Sequence, residues 1–437
     1  MGAQISARAA VSRLLRRTGF NAPGQAVDAA VTSGFAATVD RVLAAPPSTG
    51  TQPPSFAALT APGKGDKAAR QTYAKQLKAQ TEQLVLWWLD RMVAADQPWV
   101  EKRTLLWHGH WATSVKKVKS PAAMVAQNQT ERQLGGADFG AFAKQMVRDP
   151  ALMIWLDASG NTAKAPNENL ARELMELFTL GVGHYSENDV RQAAQALTGW
   201  RVDRKAAIMT ATFAAQRHAS GPQTILGTTA DFTDQTLVDL LVSRPDSAPY
   251  LATRMWGWLV APTPPSASSL ARITSAYGPK RDLTAMFRAI FSDPAFLDAD
   301  SVIVKQPIDY AVGMFRDLKL RPSTVDKKLQ SGLLRGLAGL GQVPFDPPNV
   351  GGWPTGGAWL TTSAAQARIK LAESLAKAAD LKALSAQSVS QRPAYVAAML
   401  GVDAWTARTQ GVLSSAASDP AELLTLALAA PEYIVSR

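Results

Sequence analysis

The chain has 437 residues, 46% hydrophobic and 19% charged, with a formal net charge of +11 and no cysteine. That apolar content excludes a disordered chain and is enough for a large core. The lack of cysteine excludes disulfides, thiolate catalysis, cysteine zinc sites and iron–sulfur clusters, and no apolar run of about 18 residues exists to span a membrane. The basic excess suits a polyanionic partner such as an acidic polymer or glycan. Basic and aromatic residues are not interleaved in any recognisable module, which argues against nucleic acid.

The elements read as helical almost throughout. "ARAAVSRLLRRTG" is a helix that stops at Gly19 and carries Arg13, Arg16 and Arg17. The twin arginine in "LLRRTGF" resembles an export signal, but Asp28 and Asp40 interrupt the stretch where an apolar run belongs. Arg16 and Arg17 are therefore assigned to a folded helix, and the chain is expected to be cytoplasmic. "MGAQIS" matches the myristoylation pattern through Gly2 and Ser6, a short motif with many chance matches. Two short helices follow up to residue 45. The Pro/Gly/Ser-rich stretch 46–65 is expected to be a mobile linker to a main helical domain over 66–437, either separate from 1–45 or continuous with it.

Within 66–437, a long helix is predicted over 66–95, apolar only around Leu84–Met92, and "VEKRTLLWHGHWATSV" continues after Pro98. Helices are predicted near 120–133, 137–147, 166–180 and 187–198, the last opening on Ser186-x-x-Asp189 and closing at Gly199. Alternation at Ile208–Phe213 and Thr224–Leu226 predicts one small β-hairpin near 205–228. Helices resume near 233–243, 246–260, 267–277, 281–291 and 303–319. An irregular stretch, "GQVPFDPPNVGGWPTGGAWL", precedes a helical tail over 361–437. The fold class is mainly α, a multi-helical globular domain with a small β-hairpin insertion.

Four stretches could carry chemistry. His108 and His110 have a metal-ligand spacing, but only on an extended segment, where side chains repeat every two residues. On a helix they would diverge by about 200°. The alternative is a hydrogen-bonded pair at a helix end. In "APNENLARELMELFTLG", Leu170, Leu174 and Leu177 face the core, and Asn169, Glu173 and Glu176 lie within about 60° of one another on its edge. Two carboxylates there could hold a metal or divide acid and base roles; the alternative is a solvated flank with ion pairs. His218 sits in a glycine-containing turn, and Trp353 and Trp359 could stack on a sugar or cap the core. Asp157 precedes a turn and could cap or coordinate. No P-loop, nucleophile elbow, dinucleotide fingerprint or HExxH helix is present.

Taken in order, "RLLRRTGF", "LLWHGHWATS", "IWLDASGNTAKAPNENLARELMELFTLGVGHYSENDVRQAAQALTGW", "RHASGPQTILG", "VIVKQPID" and "PPNVGGWPTGGAWL" resemble a bacterial family known as domain of unknown function 1800. The resemblance spans nearly the whole chain and implies no settled activity. Similar proteins often carry export signals and are often encoded beside sulfatase-like proteins. The histidine pair and the 167–176 segment match the family pattern. Around His218 the chain departs from it: Ala219 and Gln223 stand where relatives tend to have an acidic residue and a lysine.

Two functions are expected from this reading. The first is a hydrolase, or a related transferase, acting on a polar polymer or glycan. His108, His110 and one glutamate would ligate a divalent metal or move protons. Trp107, Trp111, Asn169, His218 and Trp353 would bind substrate. Glu173 and Glu176 on one helix sit too close to flank a bond, so Asp157 is the second carboxylate. The alternative is a non-catalytic basic protein that holds an acidic glycan, a cell-envelope polymer or a partner protein.

Overall fold

Side-chain caps start most of the helices. Ser6, Asp66, Ser120, Asp149 and Thr361 each accept a first-turn backbone N–H, an interaction worth roughly 1 kcal/mol apiece. Ser186 and Asp189 form the capping box that their spacing predicts. The computed structural model describes residues 5–46, 51–63, 65–204, 206 and 208–436. Gly2 of the N-terminal pattern lies outside these residues, as do 47–50 and 64 of the expected linker. The described chain is 60% helical, with 23 helices and small two-stranded antiparallel sheets.

Two cores meet at one helix. The first gathers residues from 139–180 and 190–296; the second gathers Leu84–Val93 with residues from 308–345 and 364–433. Helix Trp99–His110 stands between them. Leu106 and Trp107 join the first core and Leu105 the second, and all twelve residues of the helix are buried. A helix buried on every side has no polar face, and this one places Glu101, Lys102 and Arg103 inside the molecule. Long helix Lys67–Ala94 is exposed over its polar front half and buried from Leu84 to Val93, as its patterning predicts.

The Pro/Gly/Ser stretch is laid along that long helix. Trp87 Nε1 and Arg91 Nη1 donate to the Thr51 carbonyl at 3.0 and 3.1 Å, Gln80 reaches the Ala57 carbonyl at 3.1 Å, and Phe56 enters the second core. The N-terminal helix Ala7–Thr18 is equally engaged. Leu14 belongs to the first core, and Arg13 donates to the carbonyls of Phe296 and Asp298. Arg17 donates to the carbonyls of Leu259, Val260, Ser301 and Ser436. The twin-arginine motif is thus internal, and burial lowers the pKa of both Arg16 and Arg17.

The β elements differ from expectation. In place of one hairpin near 205–228 there are two. Ala211–Phe213 pairs backwards with Trp200–Val202, and Gln223–Ile225 pairs forwards with Thr228–Ala230. Leu226 and Gly227, both at positive φ, form the two-residue turn of the second hairpin. A third pair joins Ile303–Val304 to Val435–Ser436 within stretches expected to be helical. Pro307 explains the first of these. It occupies the first helical position of Pro307–Asp317 and leaves Gln306 extended, so the helix cannot begin at 303.

Candidate functional site

The histidines lie on the last turn of the central helix, so the extended segment that a shared ion requires is absent. His108 Nε2 accepts the Phe345 backbone N–H at 2.9 Å, which places its proton on Nδ1, 3.9 Å from Glu131 Oε1. His110 Nε2 pairs with the Phe178 carbonyl at 3.1 Å and so carries its own proton. Burial pushes the His108 pKa down to about 3. Burial, with the charge of Arg254, pushes His110 well below its usual value despite the Phe178 bond. Both rings are neutral, buried and turned to different partners. Among the described residues, no group of three His, Asp or Glu side chains is placed to hold a metal ion.

The tryptophans expected to line a pocket are core residues. Trp107 and Trp111 are both 0% exposed, so neither ring offers a face to a ligand. Trp107 donates to the Gly135 carbonyl at 2.7 Å, and Trp111 packs on Phe178 with ring centroids 4.5 Å apart. Trp353 is nearly buried against His108, and Trp359 is buried too. Beside Trp353, Gly352 has φ +83°, and a Cβ there would lie 2.2 Å from the Gly109 carbonyl. We predict that Gly352→Ala lowers stability by about 3 kcal/mol, read as a lower urea midpoint at unchanged slope. Gly357→Ala has open space around it and should leave the midpoint where it is.

The glutamate segment is where polar groups gather near the surface. Asn169–Glu173 is α-helical, but Leu174–Thr179 is a π-helix. Leu180 N–H reaches back five residues to the Met175 carbonyl at 2.9 Å, and the Thr179 hydroxyl takes the Leu174 carbonyl at 2.6 Å. Tyr250 donates to the Leu177 carbonyl at 2.7 Å. Such π segments recur at functional sites. Glu173 is half-buried and makes no hydrogen bond or ion pair with the described residues. Burial and the neighbouring Glu176 raise its pKa, against the pull of Arg172. Glu176 accepts a short hydrogen bond from the Tyr185 hydroxyl, whose pKa rises through burial and that bond. Asn169 is exposed. Arg172 is committed to Glu187, at 2.7 and 2.8 Å, and to Glu168.

Facing this segment is helix Ser247–Leu259, which supplies Tyr250, Arg254 and Trp258. The Arg254 guanidinium lies 5.3 Å from the Trp258 ring and 6.0 Å from the Tyr250 ring. Trp258 and Trp353 both adjoin Gly109, so this wall reaches the histidine helix. The sequence reading missed Tyr185, Tyr250, Arg254 and Trp258. The spacing i, i+4, i+8 in "YLATRMWGW" puts the last three on one face and was the available signal.

Two predicted residues lie in other settings. Asp157, at φ +58°, accepts from Lys117 Nζ at 2.7 Å in an exposed pair, and no hydrogen bond or ion pair joins it to the glutamates. His218 pairs through Nδ1 with the Thr198 carbonyl at 3.0 Å and packs on Phe213 of the first hairpin.

A family model described as "Protein of unknown function (DUF1800)" matches residues 13–435. The chain belongs to this family. No curated protein and no solved structure matches it. The DUF1800 match takes in the histidine helix, the π segment and the Arg254 helix together. Where this chain departs from the expected DUF1800 pattern near His218, its own residues close the turns. Ala219 N–H donates to Thr198 Oγ1 at 2.7 Å, and the Gln223 side chain bridges the Gly221 carbonyl and the Phe232 N–H at 2.6 and 2.9 Å. No described helix is long and apolar enough to cross a membrane.

Proposed function

We propose that the protein performs acid–base chemistry, a hydrolysis or related group transfer on a polar polymer or glycan, with Glu173 and Glu176 as its proton-transfer groups. The observation that carries this reading is the difference between the two carboxylates. Glu173 is half-buried, unbonded and raised in pKa, whereas Glu176 is held by Tyr185. Neighbouring carboxylates in unlike environments are suited to opposite proton roles. Because both project from one helix, they cannot flank a bond from two sides. The opposite wall is Tyr250, Arg254 and Trp258. The divergence of His108 and His110 favours this proton-transfer form over a shared metal ion.

The test is reducing-end release from a panel of neutral and acidic polysaccharides. Wild-type protein should release sugar from at least one of them, and Glu173→Gln and Glu176→Gln should each lose about 100-fold or more while melting like the wild type. No release from any polymer, or activity untouched in both variants, would overturn the reading.

A second reading, a basic binding or scaffold protein, has its own support. Among the described residues eight basic and eight acidic side chains are buried, so their formal charges balance. The excess of +11 therefore resides outside the buried core. Under this reading, binding to an acidic polymer weakens steeply with salt and survives Glu173→Gln.

A further inference from the structure

We infer that the site on the 169–179 segment takes a substrate unit bearing a carboxylate or sulfate group, and that Arg254 recognises it. The inference rests on the proposed acid–base reading for where the substrate sits, and its substance is a weakly paired guanidinium on the wall that faces that segment.

Several other buried or partly buried arginines of the protein are matched to acceptors, although Arg16 on the N-terminal helix also keeps Nε and Nη2 without a hydrogen-bond partner. Arg91 and Arg132 share Glu101, Arg148 holds Asp234, Arg272 holds Asp293, and Arg17 is ringed by carbonyls. Arg254 is partly buried and has no carboxylate partner among the described residues. Its one hydrogen bond is a long one, 3.4 Å from Nη1 to the Tyr250 hydroxyl, and its Nε is buried without a partner. It does not pair with Glu173 or Glu176.

What holds Arg254 in place is aromatic packing, with Trp258 and Tyr250 against the guanidinium. Ring contacts of this kind consume no N–H donor, and with Nε buried and one long hydrogen bond from Nη1 the Nη groups keep donor capacity for a ligand. An arginine fixed in this way is pre-organised for a planar or tetrahedral oxyanion, which it can grip with two parallel hydrogen bonds.

Charge supports the same conclusion. Glu173 and Glu176 alone would repel an anionic ligand, and Arg172, the nearest other cation on their segment, is already spent on Glu187 and Glu168. Arg254 is the cation on the facing wall that can offset this repulsion. A neutral sugar would leave that guanidinium desolvated and unpaired, which disfavours neutral polymers against acidic ones.

The test is calorimetric titration of the full-length protein with three hexasaccharides: oligogalacturonate for the carboxylate, a heparin-derived hexamer for the sulfate, and neutral xylohexaose. Wild-type protein should bind one of the acidic hexamers at least about tenfold more tightly than xylohexaose, and the arm that binds identifies the anion. Arg254→Met should bring that affinity down to the xylohexaose level. Arg254→Lys keeps the charge but not the fork, and should fall in between; if Arg254→Met melts early, the Arg254→Lys loss is the deciding measurement. Equal affinity for neutral and acidic hexamers, no binding of either acidic hexamer, or no loss in the Arg254 variants would overturn the inference. Failure of the acid–base reading appears separately, as turnover that survives Glu173→Gln.

Discussion

Glu101→Gln should destabilise the protein by about 3–5 kcal/mol, the largest effect expected of any near-isosteric change in the chain. Glu101 is fully buried on the central helix. It accepts from Trp88 Nε1 at 3.0 Å, from Arg91 Nε at 2.7 Å, and from Arg132 Nε and Nη2 at 2.7 and 2.8 Å. Burial alone would raise its pKa, but the bonds and charges of Arg132 and Arg91 outweigh that and hold it below the usual range. Glutamine keeps the shape and removes the charge. Two buried guanidinium groups would then share a neutral amide, whose NH2 would face another donor. Urea unfolding of the two proteins under identical conditions gives the difference directly, and a loss below about 1 kcal/mol would show that the network is not held by charge.

The second large effect is a loss of stability in acid that His108 brings about. Its folded pKa is about 3, against about 6.5 for an unfolded histidine. The unfolded chain therefore takes up a proton as pH falls below about 6.5, while the folded chain refuses it until about pH 3. The stability from this site is fully present above pH 6.5 and drains away on acidification. Two neighbours act in the opposite sense. Burial raises Asp149 to about 6, and burial with the Asp149 charge raises Glu131, so these carboxyls bind protons in the folded state first. A comparison with His108→Gln separates the terms, since glutamine can still accept from Phe345 N–H and does not titrate. Between pH 7.5 and 4.5 the wild type should lose about 3 kcal/mol more than the variant. Parallel pH profiles for the two proteins would mean that His108 is not the group responsible.

Much of the fold was legible because it rests on local chemistry. The capping box at Ser186 and the half-buried pattern of Lys67–Ala94 are written in a few neighbouring residues. The "WHGH" stretch was ambiguous for a physical reason. Helix Trp99–His110 is buried all round and shows no 3.6-residue alternation, so neither helix nor strand could be preferred. The π segment was invisible to a reading that assumes α-helical spacing, although that reading did select Glu173 and Glu176. The strand pairing failed because Ala211–Phe213 finds its partner at Trp200–Val202, upstream of the stretch where a hairpin was sought. Arg254 and Tyr250 were missed because only the folded chain sets them against Leu177 and His110, and nothing local marks an arginine as unpaired.

The embedding of Arg17 also constrains how the protein is made. Its farthest acceptor, the Ser436 carbonyl, lies 419 residues downstream. At about 5–20 residues per second, a ribosome needs roughly 20–80 s to deliver that partner after the N-terminal helix has emerged. During that interval Leu14 can already enter the first core, which is complete by Phe296, but the Arg17 guanidinium still lacks its last acceptor and the helix is held less firmly against chaperones and proteolysis. Contacts this distant in sequence also slow the final closure of the free chain.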